Sequence, residues 1–390
     1  MRSFSKIGLG AVTAVTMAVS TFAVIAASVL AAQLIDDFGI TRAQVGALVF
    51  ANGIVGALAS PAFGKVTDKF GAVRSVVGSL VIALMTLVGW ALSPTYGLLV
   101  VAALVTGLAN AWCNPATNAL IVNNVPPGER GVVTGVKQSG VQIGTFLGGL
   151  LLPIFTAWWN WRAAMLAFAT LPLGGLLAMI GRRDEHRSAY DPETRAERLP
   201  TAVRWIAAYG FLSGLATSSI IGFLPLFANE DLGWAEAAAG TLIALTGLAG
   251  ITARIMWPRL SERWFGHSLT LRILSVMTFF TAIILTLASL DVLPGWTLVP
   301  AALLLGGGAV AWNAVGMLAV MDLSPKGAVG KGTGLVLFGF LSGLALGPPL
   351  MGLSVDLLDT YTVGWVSAAL ILVVAATISF RVPSGTTLAR

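Results

Sequence analysis

The sequence is a succession of long apolar stretches separated by short polar breaks. A helix needs about 20 mostly apolar residues to cross the hydrocarbon core of a bilayer. The polar breaks divide this chain into twelve stretches of that kind, and we predict a membrane-spanning helix for each. The twelve predicted spans lie near residues 7–35, 43–63, 74–92, 97–123, 131–155, 161–180, 204–228, 236–257, 270–289, 297–321, 331–355 and 363–381.

The composition excludes the soluble classes of protein. Apolar residues make up 56% of the 390 residues and charged residues only 10%, whereas a soluble domain carries roughly 25% charged residues. The first apolar stretch is longer than the core of a cleaved signal peptide, so we interpret it as the first span. The single cysteine, Cys113, excludes an intramolecular disulfide. We therefore predict an all-α integral membrane protein and exclude a soluble enzyme, a nucleic-acid-binding protein and a disordered scaffold.

The basic residues predict how the spans are oriented in the membrane. The net charge is +6, and 23 residues are Lys or Arg. If both termini are cytoplasmic, all but four of these residues fall in cytoplasmic segments, which is the positive-inside pattern. Arg42 and Arg162 then lie in outer loops, and Lys137 and Arg254 lie within spans. We expect cytoplasmic termini, a location in the cell inner (plasma) membrane of a bacterium, and no nucleic-acid partner.

The two halves of the chain repeat one pattern. The only long polar stretch, residues 181–204, divides the sequence in the middle. A shift of 199 positions superposes the glycines at 140, 144 and 148 on those at 339, 343 and 347, and repeated spans of this kind are typical of transporters. We predict two pseudo-symmetric six-helix bundles, residues 1–180 and 204–390, joined by a cytoplasmic linker at 181–203. The glycine stripes are expected mainly to bring helices close together, while a further role in bending or sliding stays open.

The segment after the second span carries a recognisable motif. It reads Gly64-Lys-Val-Thr-Asp68-Lys69-Phe-Gly71-Ala-Val-Arg74 and resembles the signature loop of the major facilitator superfamily. The resemblance extends over essentially the whole chain, because this superfamily also has twelve spans, a long central loop and two related halves. It implies that Asp68 meets the positive N-terminal end of the eleventh helix and holds the cytoplasmic side shut. Gly64 and Gly71 would then allow the close approach and the turn, and the alternative is that Asp68 is a solvated loop charge.

The second half contains a degenerate copy of this motif. The copy reads Pro258-Arg-Leu-Ser-Glu262-Arg263, in which Pro258 replaces the first glycine. The residues that we assign to conformational gating from the two copies are Gly64, Asp68, Lys69, Gly71, Arg74, Glu262 and Arg263.

Two basic residues within the spans are the main candidates for substrate binding. An ionisable residue inside a span costs at least ~2.5 kcal/mol on insertion scales, so it indicates a function by default. Lys137 lies on the fifth predicted span and Arg254 on the eighth, and all 17 acidic residues fall in loops or at helix ends. The natural partner of these cations is then a substrate anion, since arginine in particular matches a carboxylate with two parallel hydrogen bonds. The alternative for each is that its side chain extends to the cytoplasmic interface.

The surroundings of Arg254 resemble those of a substrate-binding arginine in oxalate–formate exchangers and monocarboxylate transporters. In those families the arginine precedes the same motif position, and here Arg254 stands four residues before Pro258. Two positions depart from the resemblance. Gly250 stands where the monocarboxylate group has an acidic residue, and Val336 stands where the oxalate group has its second cation. The resemblance therefore implies an anion without identifying which one.

Other polar and aromatic residues within the spans are weaker candidates. The fourth span carries Asn110, Asn114 and Asn118 one turn apart on a single face. Their amides could bind a polar ligand or could join neighbouring helices, and a tryptophan in mid-span could equally be packing bulk. In the superfamily the first, fourth, seventh and tenth helices line the cavity. The substrate-binding candidates are Arg254, Lys137, Asn110, Asn114, Trp112, Trp312, Asn313, Gln138 and Tyr209.

These observations predict a secondary active transporter that moves a small organic anion of the carboxylate type by alternating access. Lys137 and Arg254 would neutralise the anion, and coupling to protons or to a counter-anion stays open. We expect a monomer in a lipid bilayer, with no cofactor, no metal and no enzymatic activity. The alternative is a proton-coupled exporter of drugs or other lipophilic compounds, although the fifth span has Gly144-Thr145 where such exporters usually have a Gly-Pro pair. A transporter-derived sensor and a lipid flippase are further hypotheses.

Overall fold

The computed structural model of the protein describes residues 5–126, 130–182, 199–324 and 329–383. All regular secondary structure in these ranges is helical, which confirms the predicted all-α class. The first half contains α1 (Lys6–Val29), α2 (Ala31–Phe38), α3 (Arg42–Phe70), α4 (Ala72–Leu92), α5 (Tyr96–Asn124), α6 (Arg130–Trp158), α7 (Trp161–Phe168) and α8 (Thr170–Met179). The second half contains α9 (Thr201–Glu230), α10 (Glu236–Leu260), α11 (Gly266–Ser289), α12 (Leu298–Gly308), α13 (Trp312–Leu323), α14 (Val329–Leu358) and α15 (Thr362–Ile378).

The number of spans agrees with the sequence. Eleven stretches of the described residues are long and apolar enough to cross a membrane. One of them, Glu236–Ser289, has 54 residues, which at 1.5 Å per residue is about 80 Å and exceeds twice the ~30 Å hydrocarbon core. This stretch divides at Gly266, which has a φ of 67° and follows the short π-helical turn Ser261–Phe265. Counting α10 and α11 separately gives the twelve predicted spans.

Three spans consist of two consecutive helices. The first is interrupted at Leu30, between α1 and α2, and the sixth at Ala169, between α7 and α8. The tenth breaks over residues 309–311, between α12 and α13. Three consecutive glycines, at 306–308, precede this break, and glycine is the residue that least favours a continuous helix apart from proline.

The second span continues further than the sequence predicts. The helix α3 runs to Phe70, so Asp68 and Lys69 lie on its last turn and not in a loop. No proline follows Gly64 in this helix, and the chain turns only at Gly71, whose φ is 89°. The predicted signature loop is therefore mostly helical, with one glycine making the turn.

The chain forms two compact units. The first comprises Met1–Ile40 and Ala47–Asp191, and the second comprises Thr41–Gly46 and Pro192–Arg390. In the first unit α1 packs along α6 and α4 along α5, and in the second unit α9 packs along α14 and α11 along α15. The predicted linker, residues 181–203, lies mostly outside the described residues, so the predicted domain boundaries stay a prediction.

The repeated glycines are packing positions in both units. A Cβ atom on Gly140 of α6 would overlap the backbone carbonyl group of Ala14 on α1. A Cβ atom on Gly339 or Gly343 of α14 would in the same way overlap the backbone of α9. The equivalent glycines of the two halves therefore let the fifth helix of each half approach the first, which is how small residues act in membrane helix pairs.

Candidate functional site

Lys137 lies on α6 in the first unit, and its side chain is completely buried. Its ammonium group donates to two amide oxygens of α5, Asn118 Oδ1 at 2.6 Å and Asn114 Oδ1 at 3.0 Å. Both partners are neutral, so within the described part of the chain these hydrogen bonds bring no opposite charge to the ammonium. The amides satisfy two of its N–H groups but leave its charge uncompensated. Lys137 is thus a buried cation on a membrane-spanning helix.

The asparagines of α5 have two different partners. Asn114 and Asn118 are one helical turn apart, so both amide oxygens reach the same ammonium group. Asn110, one turn before Asn114 on the same helix, instead donates through Nδ2 to Asn52 Oδ1 on α3 at 3.3 Å. The structure thus brings two of the three asparagines to Lys137 and turns the third towards a neighbouring helix.

The surface of α5 at this point is polar. Asn114 and Asn118 are exposed on the first unit, whereas Lys137 lies beneath them. A side-chain amide without hydrogen-bond partners in hydrocarbon costs several kcal/mol. The exposed asparagines therefore suit a water-filled path better than contact with lipid.

Arg254 lies on α10 in the second unit, and its side chain is partly buried. Its Nε atom donates to the backbone carbonyl oxygen of Val310 at 3.3 Å. Val310 lies in the break between α12 and α13, where regular helical hydrogen bonding is interrupted and carbonyl groups need other donors. Trp257, also on α10, donates through Nε1 to the carbonyl oxygen of Gly307 at 2.8 Å. The broken tenth span thus fixes the orientation of the Arg254 guanidinium.

Two of the aromatic candidates belong to the core of the second unit. Trp312 is only 1% exposed, and its ring packs against Tyr209 and, edge-on, against Phe340. Tyr209 is also buried, and its hydroxyl donates to the carbonyl oxygen of Leu271 at 2.8 Å and lies 2.9 Å from Ser275 Oγ. These contacts join α9 to α11 and give both rings a packing role in this structure.

Trp112 is a packing residue of the first unit. Its indole stacks on Phe63 with ring centroids 4.8 Å apart, and its Nε1 donates to Thr67 Oγ1 at 3.1 Å. It also covers Gly78 of α4, where a Cβ atom would overlap the ring. Of the remaining candidates, Asn313 and Gln138 are partly buried on α13 and α6.

The gating candidates lie at the ends of helices. Asp68 and Lys69 are exposed on the last turn of α3, and Arg74 is exposed on the first turn of α4. Gly71 supplies the predicted turn. The close approach predicted at Gly64 stays a prediction. Glu262 and Arg263 are exposed on the π-helical turn.

The contact predicted for Asp68 stays a prediction. It involves the N-terminal end of the eleventh helix, and residues 325–328, which precede that helix, lie outside the described residues.

Sequence reasoning missed a charged cluster in the second unit. Asp356 accepts the backbone N–H groups of Arg42 and Ala43 at 3.1 and 2.8 Å, and the Arg42 side chain donates to Glu230 at 2.9 Å. The Tyr361 hydroxyl also donates to Glu230, and burial together with that carboxylate raises the pKa of Tyr361 well above its usual value. The only signal in the sequence was that Arg42 is one of two basic residues assigned to outer loops.

One of the two histidines is buried. His267 is 2% exposed, its Nδ1 lies 3.0 Å from Ser261 Oγ, and its Nε2 lies 2.8 Å from Asp322 Oδ2. The three residues join the π-helical turn after α10 to α11 and α13 within the second unit. The other histidine, His186, lies outside the described residues.

Comparison with known proteins decides the family. The sequence matches the profile described as Major Facilitator Superfamily over residues 12–326. The chain belongs to the major facilitator superfamily. It is a multi-pass membrane protein and, as a member of this superfamily, a secondary transporter and not an enzyme.

Similar superfamily members include named bacterial proteins. A protein of Mycobacterium tuberculosis described as "Probable nitrate/nitrite transporter NarK2" is 27% identical over 359 residues, which cover 87% of this chain and 87% of that protein. A second M. tuberculosis protein, described as an uncharacterized MFS-type transporter, is 24% identical over 40% of this chain and 36% of its own length.

Solved structures show the same fold. A D-xylose-proton symporter aligns with a TM-score of 0.79 over 97% of this chain and 98% of its own, at 17% identity. A bacterial homolog of the human lysosomal transporter Spinster, inward-facing and unoccupied, aligns with a TM-score of 0.74 over 96% of each chain, at 18% identity. At these identities the likeness concerns the fold, and it confirms the predicted twelve-helix superfamily architecture.

Proposed function

We propose that this transporter carries a small planar oxyanion across the membrane, and that Lys137 and Arg254 supply the positive charge that attracts it. The observation that carries the proposal is the environment of Lys137. The ammonium is completely buried on a membrane-spanning helix and is hydrogen-bonded to two neutral amides. A bound anion would provide the compensating charge that these amides do not, and intramembrane ionisable residues mark substrate or ion pathways.

Arg254 supports a planar substrate. The guanidinium group is flat and carries five N–H donors in a fixed fork, which matches two coplanar oxygens of an anion. The hydrogen bond from Nε to the carbonyl oxygen of Val310 orients this plane at the break between α12 and α13. An oriented guanidinium loses less conformational freedom when an anion binds, which favours affinity.

The class of anion is supported from two directions. The residues around Arg254 resemble those of carboxylate transporters, whereas the relative from M. tuberculosis has nitrate and nitrite in its name. Nitrate and a monocarboxylate each carry one negative charge spread over coplanar oxygens, so both satisfy a guanidinium fork. The shared chemistry is that of a small planar oxyanion, and a ligand panel distinguishes the two sources.

The charge balance also bears on the transport mechanism. All 17 acidic residues fall in loops or at the ends of the predicted spans, so no carboxylate lies in mid-span to carry a proton along with the substrate. A ligand shifts a conformational equilibrium only by its differential affinity for the two states. We propose that neutralisation of the two intramembrane cations by the anion supplies this difference. Transport would then proceed by anion exchange or, for a carboxylate substrate, by symport of the anion with the proton of its own carboxyl group.

The experiment is a ligand panel read by thermal unfolding in detergent. Nitrate, nitrite, formate, acetate and oxalate are compared with chloride as the salt control and with tetraphenylphosphonium as a lipophilic cation. A ligand at about 100 times its Kd stabilises the folded state by about 2.7 kcal/mol, which is readily measured. We expect stabilisation by at least one planar oxyanion, and loss of that stabilisation in Arg254→Gln and in Lys137→Gln.

Two matched variants control for the removal of positive charge alone. Arg259→Gln and Lys65→Gln remove exposed cations of α10 and α3, and we expect them to retain the anion response. If the lipophilic cation stabilises the wild-type protein and no anion does, the proposal is wrong and a drug exporter is the better hypothesis.

A further inference from the structure

The geometry around Lys137 points to different roles for the lysine and for its two amide partners, and this inference rests on the proposed function. We propose that the side-chain NH₂ groups of Asn114 and Asn118 contact the anion in the first unit, and that Lys137 is a positioning residue that acts through them. The relevant observation is that the charged group is buried and its neutral partners are exposed, which is the reverse of the usual arrangement. The cation is 0% exposed, and the two amides that accept its hydrogen bonds are exposed.

The orientation of the two amides follows from elementary chemistry. An ammonium group can only donate hydrogen bonds, whereas an asparagine amide has one oxygen that accepts and one NH₂ group that donates. The atoms of Asn114 and Asn118 that face Lys137 Nζ, at 3.0 and 2.6 Å, must therefore be the oxygens. Since oxygen and nitrogen lie on opposite sides of the amide carbon, both NH₂ groups are turned away from the ammonium.

The exposed surface above Lys137 therefore presents hydrogen-bond donors. The two NH₂ groups offer four N–H bonds, and one helical turn, about 6 Å along the axis, separates the two residues. The buried positive charge polarises both amides in the direction that strengthens their N–H groups as donors. This arrangement suits an anion with several hydrogen-bond acceptors, such as nitrate or a carboxylate, and does not suit a cation.

The arrangement also explains how a charged site could release its substrate. Transport requires binding that is favourable enough for entry and weak enough for exit. An anion in direct contact with an ammonium in a dry site would be held strongly. An anion held by two neutral amides, with the ammonium behind them, still experiences the positive charge at a greater distance.

The test replaces each asparagine by the carboxylate of the same shape. In Asn114→Asp or Asn118→Asp, the new carboxylate would pair with Lys137, cancel its charge and remove two N–H donors. We expect nitrate and acetate affinity, measured by calorimetry on the purified protein, to fall at least tenfold in both variants. Asn124→Asp adds the same charge near the end of the same helix, where the native side chain bonds its own helix at Leu120, and we expect less than a twofold change.

A double-mutant cycle tests whether Lys137 acts through the asparagines. Residues that act as one unit give non-additive effects, so Lys137→Met combined with Asn118→Leu, which removes the amide without adding charge, should bind the anion no more weakly than the weaker of the two single variants. Lys137→Arg, which keeps a donor-only cation for the amide oxygens, should recover part of the affinity that Lys137→Met loses. If Asn118→Asp does not fold, Asn118→Leu removes the same donors without adding charge and is expected to give the same loss.

The outcomes separate the inference from the proposed function. If the wild-type protein binds neither nitrate nor acetate and no other anion of the panel, the proposed function has failed. If the wild type binds an anion and Lys137→Met abolishes binding, but Asn114→Leu and Asn118→Leu both bind within twofold of wild type, the ammonium contacts the anion directly and this inference is overturned.

Discussion

The carboxylate of Asp356 accepts the backbone N–H group of Arg42 at 3.1 Å, although the two residues are 314 positions apart. A second hydrogen bond, from the N–H group of Ala43 at 2.8 Å, reaches the other oxygen of the same carboxylate. The first N–H groups of a helix have no partner within the helix, and the positive end of the helix dipole favours a negative charge there. Asp356 of α14 thus binds the first two N–H groups of α3, whose first residues belong to the second unit. The N-cap residue itself is Thr41, whose Oγ1 accepts the N–H group of Gln44 at 3.3 Å.

Asp356→Ala is expected to destabilise the protein. Loss of a side chain that accepts the first N–H groups of a helix costs about 1 kcal/mol, and the variant also removes the carboxylate that lies 3.6 Å from the Arg42 guanidinium. We expect a lower Tm in detergent and faster hydrogen exchange at the amides of Arg42 and Ala43. Asp359→Asn is the matched control, because Asp359 is exposed and has a φ of 51°, a conformation that asparagine also adopts. Unchanged exchange at the two amides in Asp356→Ala would contradict the capping role.

The glycine contact between α6 and α1 gives a second prediction. Gly140→Ala would place a Cβ atom against the backbone of Ala14, and backbone atoms cannot give way as a flexible side chain can. We expect a strong loss of folded protein, measured as the monodisperse fraction in size-exclusion chromatography. Gly135→Ala, on the same helix and with no described atom within 4 Å of its Cβ, should be neutral or more stable, since alanine favours a helix over glycine by about 1 kcal/mol. Equal behaviour of the two variants would show that the packing interpretation is wrong.

Asp37, near the end of α2 and beyond the first predicted span (residues 7–35), gives a prediction about pH. Trp161 Nε1 and Arg162 Nη1 each donate to Asp37 Oδ2 at 2.6 Å, and these hydrogen bonds, that from Trp161 first, lower the pKa of Asp37 from its ordinary value of 3.8 although burial opposes them. Because the folded pKa is the lower one, the contact stabilises the fold fully above the ordinary pKa and is lost as the pH falls through the folded pKa.

The comparison for this contact is the Tm of wild type against Asp37→Asn. We expect the wild type to have the higher Tm from about pH 7 down to about pH 4, and the difference to shrink below that range. Asp36→Asn neutralises the adjacent, exposed carboxylate. The Tm difference between wild type and this variant should not shrink below about pH 4. A difference between wild type and Asp37→Asn that is independent of pH would contradict the account.

Trp312 and Tyr209 test whether the buried aromatic residues of the second unit bind substrate. Trp312→Phe keeps an aromatic ring in the core and should leave anion affinity unchanged, since the indole is 1% exposed. Tyr209→Phe removes the hydrogen bond to the carbonyl oxygen of Leu271 and should lower stability by about 1 kcal/mol, again without a change in affinity. A loss of anion affinity at unchanged Tm in Trp312→Phe would show that this residue lines the substrate path after all.

The features that depend only on residues close together in the sequence could be predicted. The spans follow from the length of apolar stretches, and Lys137 stands out because charge within a span is costly. The positions of Asn114 and Asn118 on one face follow from the helical repeat. The relation among these three residues could not be predicted, because whether the lysine covers the asparagines or lies beneath them depends on how α5 and α6 pack.

Other features depend on contacts between distant parts of the chain. The cap of α3 by Asp356 joins residues more than 300 positions apart, and no local pattern indicates it. The burial of Trp312 was equally ambiguous, since a tryptophan in mid-span suits a cavity wall and a helix interface alike. The continuation of α3 to Phe70 shows a similar limit, because the polar residues of the motif suggested a loop although none of them ends a helix.

Flux into proteoliposomes shows whether the chain moves small planar oxyanions. Vesicles loaded with nitrate or with acetate are placed in the corresponding labelled anion, and uptake is compared among wild type, Arg254→Gln, Lys137→Gln and the control Arg259→Gln. We expect saturable exchange by wild type and by Arg259→Gln, and at least a tenfold lower rate in the other two variants. Anion uptake by wild type no faster than in protein-free vesicles, with saturable uptake of tetraphenylphosphonium in the same preparation, would contradict the proposed function.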